Sequence, residues 1–275
     1  MERIEKLPAS QAIRFAYPRN TRPVSVTGAA CELNCAHCGG HYLKHMRPIE
    51  SMTAADPSPS WLVSGGCQAD GAVPIAEHLD RLAELKQGRR YNMHVGLVGE
   101  AEIERLAGVA DCVSFDFVAD QATIREVFGS DRTVGDYIRC YQALRSRVQV
   151  MPHLCIGLNG GRLCGETRAL ELLQKLGAEA ITLIVFMPTR GSRFADRKPP
   201  GLSETAQVLT QARLMFPDIP VHLGCMRPGG RYREELDQWA VRIGVNSIVN
   251  PAPAAVALAE RLGMTITRKE ECCVL

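Results

Sequence analysis

The 275-residue sequence has no excess of one charge: 32 Lys and Arg stand against 30 Asp and Glu, a net of +2. A polyelectrolyte partner leaves a strongly biased composition, so nucleic acid is excluded as the main ligand. No run of eighteen apolar residues occurs, and the opening stretch MERIEKLPASQAIRF is polar and amphipathic without an apolar core of leader length. These absences argue against a membrane span or secretory leader and predict a soluble, cytoplasmic protein. Low-complexity segments are missing too; ADPSPS at 55–60 and RKPPGLS at 197–203 read as ordinary loops. Finally, the cysteine count is eleven. An odd number rules out a complete disulfide framework, and in a reducing compartment it points to metal or catalytic thiols.

At 46% hydrophobic, the chain can bury a large core. Short apolar, β-branched runs recur at Val24–Thr27, Trp61–Ser64, Tyr91–Val98, Cys112–Val118, Val148–Leu158, Ala180–Met187, Val221–Cys225 and Ser247–Val249. Between most of them lie helical patterns, such as Pro74–Leu85, Thr133–Leu144, Arg168–Leu176 and Arg233–Ile243. Strands alternating with helices at this spacing require parallel pairing with helical crossovers. The expected fold is therefore α/β, a single β/α barrel of eight βα units with its site at the C-terminal ends of the strands. Residues 24–250 form the barrel in this reading, 1–23 a helical extension, and 251–275 a last helix and a cysteine-containing tail.

Three cysteines and three histidines crowd the fifteen residues from Cys31 to His45, just after the first strand. Cys31, Cys35 and Cys38 form C-x3-C-x2-C, three thiolates on one loop that suit three irons of a [4Fe–4S] cube and leave the fourth open. An open iron can act as a Lewis acid toward an amino-carboxylate. Zinc competes, because Cys35, Cys38, His41 and His45 give a C-x2-C-x2-H-x3-H set, although Cys31 would then be idle.

CELNCAHC at the end of a first strand, followed by SGG at the end of the second, resembles the radical S-adenosylmethionine (SAM) superfamily. The resemblance implies that Cys31, Cys35 and Cys38 hold a [4Fe–4S] cluster, that SAM chelates the open iron, and that reduction yields a 5′-deoxyadenosyl radical. It places His37 where an aromatic residue usually approaches the adenine. Ser64, Gly65 and Gly66 fall where backbone meets the SAM amino group, with Cys67 where an acidic residue often follows. Alternation in CVSFDFV sends Asp116 to the lumen with Cys112 and Ser114, either toward the SAM ribose or into a structural ion pair. In MPHLCIGLNGG it places His153, Cys155 and Gly157 on the inner face, and in GCMRPGGRY it leaves Arg227 as a carboxylate or cluster partner or as a solvated loop residue.

Of the other cysteines, Cys112, Cys140 and Cys164 read as small packing residues. Cys67, Cys155 and Cys225, with the vicinal Cys272 and Cys273, are candidates for an auxiliary cluster, and the terminal pair could alternatively carry sulfur. Cys272 stands where a prenylation box would have its cysteine, but no polybasic segment supports an anchor. VSVTGAACELNCAHCGGHYLKHM, VSGGCQADGAVPI, PHLCIGLNGG and LGCMRPGGRYREELDQWAVRIGVNSIVNP together are similar to a biotin-synthase-like branch that includes a subunit of the two-component lipoyl synthases. That likeness implies sulfur insertion into an octanoyl chain on a carrier-protein lysine, with a second radical SAM protein and an external one-electron reductant as partners. Two alternatives stand beside it: a radical SAM enzyme of another subclass acting on a small molecule, and a zinc or iron–sulfur scaffold without activity.

Overall fold

A computed structural model describes residues 11–275. Eleven strands build it: β1 (Ala12–Ala16), β2 (Thr21–Ser25), β3 (Arg47–Pro48), β4 (Ser60–Ser64), β5 (Arg90–His94), β6 (Cys112–Asp116), β7 (Val150–Ile156), β8 (Ile181–Val185), β9 (Val221–Leu223), β10 (Ser247–Val249) and β11 (Thr265–Lys269). The helices between them are α1 (Leu79–Lys86), α2 (Glu100–Ala107), α3 (Gln121–Thr123), α4 (Val134–Arg145), α5 (Glu166–Lys175), α6 (Leu202–Met215), α7 (Gly230–Ile243) and α8 (Pro253–Arg261).

All strands pair in parallel in one curled sheet, in the order β11-β1-β10-β9-β8-β7-β6-β5-β4-β2-β3. Parallel strands need both faces covered, which is why β8 reads ITLIV without alternation. The outer face packs on helices whose apolar stripes repeat every three or four residues. In α5 these are Ala169, Leu170 and Leu173, all fully buried. Helix α4 starts at a capping box in which Thr133 and Asp136 exchange side-chain and backbone hydrogen bonds, a device worth about 1 kcal/mol. Its Tyr137 and Tyr141 pack on Phe115 of β6, the outward set expected from alternation.

All eight expected strands are present, as β2 and β4 to β10. The sheet differs from the expectation of eight by adding β1, β3 and β11. Within the described residues, the stretch expected as a helical extension holds β1 and β2 instead. Positions 1–10 lie outside the described residues. Ile13 and Phe15 are buried, and β1 is sandwiched between β10 and β11, so tertiary pairing overrides the amphipathic helix pattern. The end of the sequence contains the expected helix, α8, but continues into β11.

Beyond β11 the chain turns under the sheet. Asn20 N–H donates to Glu270 O at 2.9 Å, and Cys272 N–H donates to Thr21 Oγ1 at 2.7 Å. Arg90 pairs with Glu271 and donates to the Leu275 carbonyl, which Lys269 also reaches, while Val274 is buried among Cys112, Met151 and Ala180. These partners start β2, β5 and β6 or lie at the beginning of β7 and β8. The last residues therefore cross the floor of the curled sheet, opposite the cysteine loop.

Candidate functional site

The strands end at a pocket of about 270 Å³ lined by Cys31, Cys35, His37, Cys38, Ser64, Gly65, Gly66, Cys67, His94, Ser114 and Asp116, with Tyr42, Phe128 and Tyr137. The cysteine loop reaches it because β2 stops at Ser25 and a chain of short bonds folds residues 26–40 back over the strand ends. Ser25 Oγ donates to Gly28 O at 2.7 Å, Thr27 Oγ1 donates to Ala30 O at 2.9 Å, and the same oxygen accepts the Gly66 amide at 2.7 Å. Gly66 sits so close that a Cβ there would lie 1.9 Å from Ala30 O and 2.6 Å from Cys31 Cα. Only glycine fits, which gives this position a packing reason independent of any ligand.

Cys35, His37 and Cys38 place their ligand atoms within 4.8 Å of one another, the only such grouping of metal-type ligands among the described residues. A hydrogen bond with the Cys35 thiol, with His37 adding to it, pulls Cys38 down to about 4 and pushes Cys35 far up. Cys31 lines the same pocket from the other side of the loop. The zinc alternative is not assembled: His41 and His45 stay outside the Cys35–His37–Cys38 grouping and meet edge to face at 5.4 Å in the one-turn segment that follows. His37 stands edge-on to Phe128 at 6.0 Å, and its buried Nδ1 has no hydrogen-bond partner. Of the three motif thiols, Cys35 and Cys38 are gathered together, and Cys31 lies outside that grouping but lines the same pocket.

Ser64 donates to the His94 carbonyl at 3.3 Å, and Asp116 faces the pocket without an ion-pair partner among the described residues. Behind them the lumen is polar. His94 and His153 meet ring to ring at 5.2 Å, Ser114 donates to Asn92 at 2.9 Å, and Thr182, His222 and Ser247 bury side-chain atoms without partners. Burial is the main reason that His153 and His222 are each pulled down to about 4 and stay neutral.

Two candidates are taken up by the protein itself. Arg227 is fully buried in a two-armed pair with Asp237 (2.7 and 2.8 Å) and also donates to Gly224 O and Asn250 O. It staples the loop after β9 to α7 and to the end of β10 and does not line the pocket. Gly157 gives its amide to Glu166 at 2.8 Å and packs against Pro200.

The remaining thiols separate. Cys67 belongs to the mouth, where burial first and Cys31 second push it up to about 12, and its carbonyl accepts the Glu32 amide at 2.9 Å. Cys155 lies apart on β7, toward the β6 end. Cys225, Cys272 and Cys273 are close enough for their charges to act on one another, with Cys272 drawn down to about 6 first by its hydrogen bond with Cys273. Asn92 donates to Cys272 Sγ at 3.6 Å, which places that sulfur at the lumen floor. Sequence reasoning missed Thr27, His94, Tyr42 and His222; alternation from Asn92 to His94 was the available signal for His94.

No family model matches the sequence, and no curated protein matches it. Solved structures do. Methylornithine synthase (PylB) superposes with a TM-score of 0.65 at 13% identity, over 94% of this chain and 84% of that one. The FeFe-hydrogenase maturase HydG from Carboxydothermus hydrogenoformans gives 0.63 at 14% identity over 90% of this chain and 61% of that one, so the chain spans about three-fifths of that protein. Streptococcus suis SuiB, solved with S-adenosylmethionine bound, gives 0.53 at 12% identity over 89% and 59%. At such identities the likeness is one of fold, and the chain shares that fold with them.

Proposed function

We propose that the protein is a radical SAM enzyme, and that its reaction is sulfur insertion into an octanoyl-lysyl carrier protein in the manner of lipoyl synthases. The observation that carries the first part is the convergence of Cys31, Cys35 and Cys38 on the mouth pocket of a fold in which SuiB binds SAM. Cys31, Cys35 and Cys38 would hold a [4Fe–4S] cluster, which would supply the one-electron chemistry that cleaves SAM and makes an unactivated C–H bond reactive. An external reductant provides the electron.

The chain's own residues bind and shield. Ser64, Gly65 and Gly66 offer backbone at the end of β4 to the SAM amino group, Asp116 offers a carboxylate to ribose hydroxyls, and His37 a ring to the adenine. Phe128, Tyr137 and Leu97 wall the pocket against water. Sulfur insertion needs a second cluster as sulfur donor, for which Cys225, Cys272 and Cys273 are the candidate ligands, although their sulfurs are not gathered as those of Cys35 and Cys38 are. A second radical SAM protein completes this reading as partner, in a cytoplasmic, reducing setting.

The test is 5′-deoxyadenosine formation by the anaerobically reconstituted, reduced protein, with and without octanoyl-lysyl peptide. Alanine at Cys31, Cys35 or Cys38 is expected to abolish it, and a fully active single mutant would sink the assignment. Formation that rises with the peptide, with about eight irons per chain, supports the lipoyl-type reaction. About four irons and indifference to the peptide favour another subclass acting on a small molecule.

A further inference from the structure

The chain is nearly neutral, but its charge is not evenly spread. Two loops at the mouth, residues 36–50 and 187–200, set Lys44 and Arg47 against Glu50, and Arg190, Arg193, Arg197 and Lys198 against Asp196. They carry a net of +4 where the whole chain carries +2, so everything else sums to −2. All six cations are exposed, and none is in an ion pair among the described residues. Elsewhere about half of the described arginines are in ion pairs, as Arg162 is with Glu126 and Arg147 with Glu104.

The two loops form one surface. Tyr42 Oη and Thr189 Oγ1 share a hydrogen bond of 2.9 Å, Phe194 N–H donates to Ala36 O at 2.9 Å, and Gly39 packs on Ser192 so closely that a Cβ would lie 3.3 Å from its Cα. Arg197 is held over the Phe194 ring at 5.6 Å and lies along Gly160. The cationic rim is thus fixed to the cysteine loop itself, next to the apolar entrance made by Leu33, Leu43 and Met46.

Arg193 donates to Val127 O at 3.4 Å and Arg197 lies on Phe194, but Lys44, Arg47, Arg190 and Lys198 have no side-chain partner among the described residues and, held on ordered loops beside the pocket, repel one another. Their exposed, same-sign arrangement attracts an anionic macromolecule and steers its approach. We infer that this rim is the docking surface for an acidic carrier protein that presents its substrate on a flexible arm, the arm entering between the two loops while the carrier's acidic face lies on Lys44, Arg47, Arg190 and Lys198. This rests on the carrier-borne substrate proposed above and adds where, and by what chemistry, the carrier binds.

The experiment uses the full chain with reconstituted cluster and the charge-reversed variant Lys44→Glu/Arg190→Glu/Lys198→Glu, whose side chains have no partners to lose. Affinity for a fluorescently labelled, octanoylated acidic carrier protein is read by anisotropy at about 50 and 300 mM salt, a range over which surface charge is progressively screened. Turnover is followed with that carrier and with octanoyl-lysyl peptide. The expected result is a Kd for the carrier at least roughly tenfold weaker in the variant, a wild-type affinity that falls with salt while the variant's does not, and unchanged peptide turnover. Equal carrier affinity in the two proteins would overturn the inference. So would a defect that appears only when electrons come from a protein reductant and vanishes with dithionite, since the rim would then serve the reductant. If carrier binding depends on the rim but neither carrier nor peptide gains sulfur, the sulfur-insertion reading fails and the docking surface stands.

Discussion

The two ends of the curled sheet are built in opposite ways. At the mouth, backbone and two small hydroxyls do the holding: Gly66 packs directly on Ala30 and Cys31, Ser25 and Thr27 bond the loop backbone, and the reactive side chains are left facing space. At the floor, side chains do the holding: Arg90 and Lys269 grip Glu271 and Leu275, Thr21 caps Cys272, and Val274 is driven into an apolar nest. Holding a loop by backbone frees thiols, imidazole and carboxylate for ligands, whereas the floor spends its functional groups on closure. The floor is not solid, however: a cavity of about 470 Å³ opens there between the terminal residues and the strand starts, lined by Arg14, Arg90, Cys112, His222, Cys273 and Leu275.

The sharpest way to break this comparison is Arg227, which the sequence offered as a ligand of the mouth and the structure makes part of the wall. Arg227→Met leaves Asp237 buried and unpaired, so a loss of about 3–5 kcal/mol is expected in urea unfolding. The double variant Arg227→Met/Asp237→Leu recovers most of it, because two apolar groups replace the pair. SAM affinity of the recovered protein should match wild type. If affinity falls instead while stability holds, the far wall belongs to the binding face after all.

What the sequence made legible follows the range of the interactions. Each of β4, β7, β8 and β10 is a local apolar run, and the boundaries lie within two residues of expectation. The cysteine motif is local as well, eight residues on one loop. By contrast β11 reads TITRK, with Ile266 as its one aliphatic side chain, and becomes a strand only by pairing with β1 some 250 positions earlier. The same holds for Arg227, whose partner Asp237 sits a helix away, and for the terminal thiols. These thiols, read from the sequence as candidates for an auxiliary cluster or for carrying sulfur, lie at the floor, because Arg90 and Thr21 anchor their neighbours there. Nothing in the composition of residues 270–275 carries that information.

Removing the floor's main anchor tests closure directly. Arg90→Leu deletes both the Glu271 pair and the bond to the Leu275 carbonyl, and a cost of about 1–2 kcal/mol is expected, since the pair is only partly buried. The more telling readout is local. Amide exchange over residues 270–275 should accelerate well beyond the global effect, with 5′-deoxyadenosine formation at the mouth unchanged. If release of the floor segment quenches that chemistry too, the two ends are coupled and the contrast between them fails.

A further effect concerns protons in the lumen. His222 is held near 4, below the usual 6.5, first by burial and then by Arg14, with His153 and Lys269 acting in the same direction. The unfolded chain therefore takes up this proton first as pH drops. Its contribution to stability is fully present above about 6.5 and is lost as pH falls toward about 4, at no more than ~1.4 kcal/mol per pH unit. His153 is depressed to about 4 as well, so wild type loses stability through this window from at least two imidazoles. His222→Gln should lower the urea midpoint at pH 7, where the neutral ring packs well, yet show the shallower fall between pH 6.5 and 4.5. A slope identical to wild type would mean that His222 reaches water through the floor, and that the residues crossing it do not exclude solvent from the lumen.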